Sequence, residues 1–131
     1  MSNEINLKPG IELVKKFVVT EEHTASFLGS GSVSVLSTPS MIMMMENTAR
    51  LAVEDKLPEG YTTVGIHVDV YHLKAAPLGA EVEVRAKLVA VEGKKLKFDV
   101  VAYWNEKKIG EGLHERYVVY KKRFLEKAKQ H

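Results

Sequence analysis

Two side chains of this 131-residue sequence combine reactive chemistry with an unexpected setting: Glu46, within the apolar stretch that begins at Met41, and His72, at the end of an alternating run. A carboxylate among apolar neighbours must be paired, protonated or facing a wet pocket, because burying it alone is costly. The plain partner is Arg50, four residues on and one helical turn away. The functional reading is a base, or the orienter of a base or a water. His72 continues the series Val64, Ile66, Val68, Val70, so its imidazole is expected on their face of a strand, towards the helix. A histidine there is commonly a satisfied core residue; an inward glutamate on the neighbouring element sharpens the pair into an acid–base candidate. His67, Asp69 and Tyr71 have the opposite parity and are expected to point outward. No histidine pair has a convincing metal-ligand spacing; neither a metal nor a cofactor is expected.

Thr38 reads first as a helix N-cap. A hydroxyl at that place also lies beside free backbone N–H groups able to hold an oxyanion or an acyl oxygen. Eight residues of helix separate Thr38 from Glu46 by about 12 Å along the axis, so the two cannot touch in one straight helix. Either a ligand lies along the helix or the site combines groups from two chains, and the second option favours a dimer. Gly110, Gly112, His114 and Arg116 share one parity near the C-terminus. The alternate glycines mark a close approach of backbone, helix or ligand. Arg116 either pairs with a neighbouring acid or holds a carboxylate or phosphate.

These residues need elements to carry them. Ile11 to Thr20 reads as a strand. Gly29-Ser30-Gly31-Ser32 has loop composition, and Ser37-Thr38-Pro39 opens a helix, with proline at its first position. That helix runs to about Lys56 and is closed by Leu57-Pro58-Glu59-Gly60. Four strands follow, Thr62 to Leu73, Val82 to Ala90, Leu96 to Trp104 and Ile109 to Tyr120, each with one apolar face. A short helical tail, Arg123 to Gln130, ends the chain. On the long helix Ile42, Ala49 and Val53 flank Glu46 on one side and Met43 on the other, with Met41, Met45 and Ala52 widening the apolar arc. A helix this apolar must be wrapped. One curved antiparallel β-sheet around a long central α-helix meets the need, which is an α+β hotdog fold in a single domain, 1–131.

Composition narrows the classes of function. The chain is 45% hydrophobic and 27% charged with net charge +2, which does not suit a nucleic-acid partner. Its basic cluster, Lys121, Lys122, Arg123, Lys127 and Lys129, reads as a solvated face, and could also attract the phosphates of a nucleotide-bearing ligand. With no cysteine, thiolate nucleophiles and disulfides are excluded. Met1 to Gly10 lacks a signal-peptide pattern and Met41 to Met45 is too short to span a bilayer. A cytoplasmic protein without a membrane partner is expected.

Four segments carry a family resemblance. They are Ser37-Thr38-Pro39-Ser40 leading to Met45-Glu46-Asn47-Thr48-Ala49; Thr63-Val64-Gly65; Tyr71-His72-Leu73-Lys74-Ala75-Ala76-Pro77-Leu78-Gly79; and Ile109-Gly110-Glu111-Gly112-Leu113-His114-Glu115-Arg116. Together, in order and spacing, they resemble the fluoroacetyl-CoA thioesterase and its hotdog relatives over nearly the whole chain. The resemblance implies an acyl-CoA substrate hydrolysed to acid and CoA, without metal, in a homodimer or a dimer of dimers with sites near the subunit interface. It implies a catalytic set of Thr38, Glu46 and His72, with Gly65 and Arg116 as substrate-site residues. In that reading His72 is the general base, for water or for the Thr38 hydroxyl, and Glu46 orients it.

One departure is visible. The fluoroacetyl-specific enzyme has a longer, phenylalanine-rich lid before its threonine, whereas Thr24 to Ser37 here holds Phe27 as its only aromatic. The resemblance therefore carries hydrolysis of a small acyl-CoA rather than fluoroacetate selectivity. Two rivals are a hotdog enoyl-CoA hydratase and a non-catalytic acyl-CoA binding module. The first would use an Asp/His pair, against which the outward parity of Asp69 and His67 argues.

Overall fold

The computed structural model describes residues 5–130; residues 1–4 and 131, which the expected domain of 1–131 and its N-terminal segment include, lie outside the described residues. Strand β1 (Glu12–Val18) is followed by a 3-10 turn at Glu21–His23, a one-turn helix α1 (Ala25–Leu28) and the long helix α2 (Thr38–Glu54). Strands β2 (Tyr61–His72), β3 (Glu81–Glu92), β4 (Lys95–Trp104) and β5 (Lys107–Tyr120) come next, then helix α3 (Lys121–Lys129). The strands form one antiparallel sheet in the order β1-β3-β4-β5-β2. This is the expected hotdog arrangement.

The packing follows from side-chain parity. Val82, Val84, Ala86 and Leu88 of β3 and Leu96, Phe98, Val100 and Ala102 of β4 are buried on the face that α2 covers. From α2 they meet Met41, Met44, Met45, Ala49, Ala52 and Val53. Each methionine removed from water in this way contributes about 1.5–3 kcal/mol. Gly110 lets the helix come close: a Cβ there would overlap the Met41 thioether. At Gly112 the close neighbour is the β2 backbone of Asp69 and Val70. The β4–β5 hairpin turns at Asn105 and Glu106, both at positive φ (50° and 63°), the conformation that matches the twist of a two-residue hairpin.

Three expectations are corrected. Helix α2 is capped by Ser37, whose Oγ accepts from the Ser40 N–H at 3.1 Å; Thr38 is already its first helical residue, which leaves the Thr38 hydroxyl uncommitted to capping. The buried stripe of α2 runs through Met41, Met45, Thr48 and Ala52, so Met43 is exposed and Glu46 lies on the flank, half-buried. In β2 the expected alternation breaks, because a bulge between Gly65 and His67 leaves Ile66 out of register. An extra residue reverses which side chains face the helix. Thr63 and Gly65, not Val64 and Ile66, therefore share the inner face with Val68, Val70 and His72, opposite Val118, Arg116, His114, Gly112 and Gly110.

Candidate active site

The start of α2 lies against the end of β2. Thr38, freed by the Ser37 cap, places its Oγ1 2.8 Å from His72 Nδ1. The imidazole is half-buried, while His72 Nε2 is wholly enclosed and has no hydrogen-bond partner among the described residues. Burial holds the His72 pKa below the ordinary 6.5, opposed by the backbone of Lys74. The ring is therefore neutral at pH 7, and its Nδ1 and the threonine hydroxyl share one hydrogen bond; in the tautomer with the proton on Nε2, the hydroxyl donates and Nδ1 accepts. Beside the pair opens a hollow of about 390 Å³ whose walls include Ala25, Gly31, Val33 and Leu73. The positive end of the α2 dipole points at this place and favours developing negative charge.

Further along α2 a second polar group is assembled. Arg116 is 5% exposed, and its Nε donates to Thr63 Oγ1 at 2.7 Å and its Nη2 to the Thr63 carbonyl at 2.9 Å. Its Nη1 lies 3.2 Å from His114 Nε2 and 3.8 Å from Glu46 Oε2. A guanidinium only donates, so His114 Nε2 accepts and Nδ1 carries the proton to the His67 carbonyl at 2.8 Å. That neutral tautomer agrees with the depressed His114 pKa, caused first by burial and then, among the charges, by Arg116. Burial lowers Arg116 as well, which Glu46 opposes. Glu46 thus has Arg116 as its cation. Arg50, the partner expected from spacing, instead pairs with Glu54 at 2.8 Å.

Gly65 completes this group, since a Cβ there would lie 2.5 Å from Glu46 Oε2, 3.3 Å from His114 Cε1 and 3.4 Å from Arg116 Nη1. Gly65→Ala is expected to keep the fold, because the carboxylate is the end of a flexible side chain and can swing aside; overpacking typically costs about 1–3 kcal/mol. The carboxylate would then be lost from its place, and turnover is expected to fall about tenfold or more. Steady-state kinetics beside a melting curve checks this: wild-type turnover in a folded G65A would show that Glu46 needs no such cradle.

The chain therefore brings together Thr38 with His72, and Glu46 with Gly65 and Arg116, but leaves the two groups apart. His67 and Asp69 face away, opposite Glu115 and Leu113. Thr63 and His114, the two residues that fix Arg116, stood in the sequence segments without an assigned role. His114 shares the parity of Arg116 and was in principle legible. Thr63 was hidden by the bulge.

The chain has clear relatives. Residues 19–122 match the family model described as fluoroacetyl-CoA-specific thioesterase. The fluoroacetyl-CoA thioesterase of Streptantibioticus cattleyicolor is 35% identical over 96 residues, 73% of this chain and 69% of that protein. A solved structure of a fluoroacetyl-CoA thioesterase superposes with a TM-score of 0.89 at 30% identity, covering 95% of this chain and 97% of the other. A Thermus thermophilus protein described as a thioesterase superfamily member gives 0.85 at 32% identity, over 94% and 91%. Matched along most of its length in sequence and nearly all of it in fold, the chain belongs to the fluoroacetyl-CoA-specific thioesterase family of hotdog acyl-CoA hydrolases.

Proposed function

We propose that this enzyme hydrolyses a small acyl-CoA thioester at a site shared by two copies of the chain, Thr38 and His72 from one and Glu46, Gly65 and Arg116 from the other. The observation that carries the reading is the 2.8 Å Thr38–His72 contact on the wall of a hollow of about 390 Å³.

Strand β2 supports the two-copy site. It is the long edge of the sheet and exposes Ile66, Val68 and Tyr71 (50%, 37% and 69%), a row that invites strand pairing. A two-fold axis through the middle of that row sets His72 of one copy opposite Gly65 of the other, both on the inner face. Glu46, which nearly touches the Gly65 Cβ position, then reaches the second copy's His72 across strands about 4.8 Å apart. His72 Nδ1 takes a proton, either from Thr38, which attacks the thioester carbon, or from a water that Thr38 holds. Glu46 stabilises the imidazolium, and the departing CoA thiolate recovers the proton. The two routes differ in whether an acyl-threonine forms; where it does, a water deprotonated by His72 attacks its carbonyl carbon, the acyl–Oγ1 bond breaks, and Thr38 recovers the proton as the acid leaves.

The substrate is expected to be short, with no fluoroacetate selectivity. Phe27 is 56% exposed and is not among the residues lining the hollow. Thiol release on the purified protein with acetyl-, fluoroacetyl-, propionyl- and hexanoyl-CoA tests the reading. Turnover of the short esters supports it; hydration of an enoyl-CoA alone, or binding without thiol release, would replace it.

A further inference from the structure

Beyond the reacting end, a second recess has the composition of a nucleotide site. It lies where β2 begins and β5 runs into α3, a hollow of about 280 Å³ lined by Tyr61, Tyr120 and Phe124 together with Lys94, Arg123 and Lys127. The aromatic side is held in place. The Tyr61 and Tyr120 rings are 5.1 Å apart and tilted by 60°. The Tyr120 ring lies against the turn at Gly60, where a Cβ would come within 2.8 Å of it, and the Lys121 N–H closes on the Gly60 carbonyl at 2.9 Å. Tyr120 and Phe124 are nonetheless 41% and 42% exposed. Helix α3 buries no residue, so core packing does not account for its apolar side. Among the described residues Lys94, Arg123 and Lys127 have no carboxylate partner. Exposed rings next to unpaired cations fit a base that stacks and phosphates that accept charge-assisted hydrogen bonds.

Resting on the two-copy site proposed above, we infer that this recess holds the adenine nucleotide end of CoA while the acyl group occupies the Thr38–His72 hollow of the other copy. The same two-fold pairing carries the start of β2, at Tyr61, past the point where the second copy's β2 ends at His72, towards Leu73, Lys74 and Ala75, which line that hollow. Tyr61 is four residues along β2 from Gly65, about 13 Å. The pantetheine arm has about a dozen bonds between sulfur and diphosphate, the reach of about four extended residues. The recess and the reacting pair are thus one pantetheine length apart, across the edge where the copies meet.

The test compares the wild type with Arg123→Glu/Lys127→Glu, surface changes on a helix without buried residues. With acetyl-CoA the variant is expected to show KM raised about tenfold or more with kcat within twofold, the effect of losing charged contacts to phosphate. With S-acetyl-pantetheine, which lacks the nucleotide, wild type and variant should be indistinguishable. Unchanged KM for acetyl-CoA, or an equal loss on both substrates, overturns the inference. Calorimetric titration with free CoA separates this result from the catalytic reading. Weaker CoA binding by the variant upholds the recess even if no ester is hydrolysed, and equal binding rejects it even if every ester is.

Discussion

His72→Ala is expected to lower kcat by about 10²-fold or more, the contribution of a positioned general base, with little change in thermal stability. The imidazole is half-buried and its Nε2 makes no bond within the protomer, so its removal strands no buried partner and leaves a small space beside an open hollow. The pH profile gives the sharper readout. Burial disfavours the imidazolium and holds the His72 pKa below its ordinary 6.5, so the base is already neutral at pH 7. The wild-type kcat/KM is therefore expected to be level through neutrality and to fall only as pH drops through that depressed pKa. In the variant the residual rate should lose this acid limb. His114 is also depressed but remains in the variant, so an acid limb surviving at full strength would assign the titration to His114 instead. Full activity in His72→Ala would remove His72 from the mechanism altogether.

Mixing two inactive variants should restore activity. His72→Ala keeps Glu46, and Glu46→Gln keeps His72. If each site takes His72 from one copy and Glu46 from the other, a mixed dimer holds one intact site and one doubly disabled one. With random assortment about half of the dimers are mixed, and the solution should recover about a quarter of wild-type turnover per chain. The measurement is thiol release after the two purified variants are unfolded and refolded together, against each refolded alone. A mixture no more active than its components would mean that both groups act within one chain, or that copies do not pair along β2. The expectation rests on a plain geometric fact: within one protomer Glu46 faces Arg116 at 3.8 Å and His72 faces Thr38 at 2.8 Å.

Much of this was legible in the residues themselves. The long helix could be placed because Ser37-Thr38-Pro39 and the closing Pro58 and Gly60 are local signals, and local signals do not depend on what the chain folds against. The strands β3, β4 and β5 followed from strict alternation, and His72 was rightly expected on the inner face. The same reasoning misplaced Val64 and Ile66, because one bulged residue reverses parity without altering composition. It also gave Glu46 the wrong cation. Arg50 is near in sequence, whereas Arg116 is 70 residues away and reaches Glu46 only because β5 pairs with β2.

Residue type and spacing along the chain by themselves determined the helix and the faces of β3, β4 and β5, and marked the candidate groups, since each depends on neighbours within a turn or two. Tertiary structure alone decided which reactive groups meet. Ser37 rather than Thr38 caps the helix, Thr63 and His114 clamp Arg116, and the histidine and glutamate stand apart in one copy. Those outcomes depend on strand register and on a free sheet edge, which come from contacts between segments far apart in the chain.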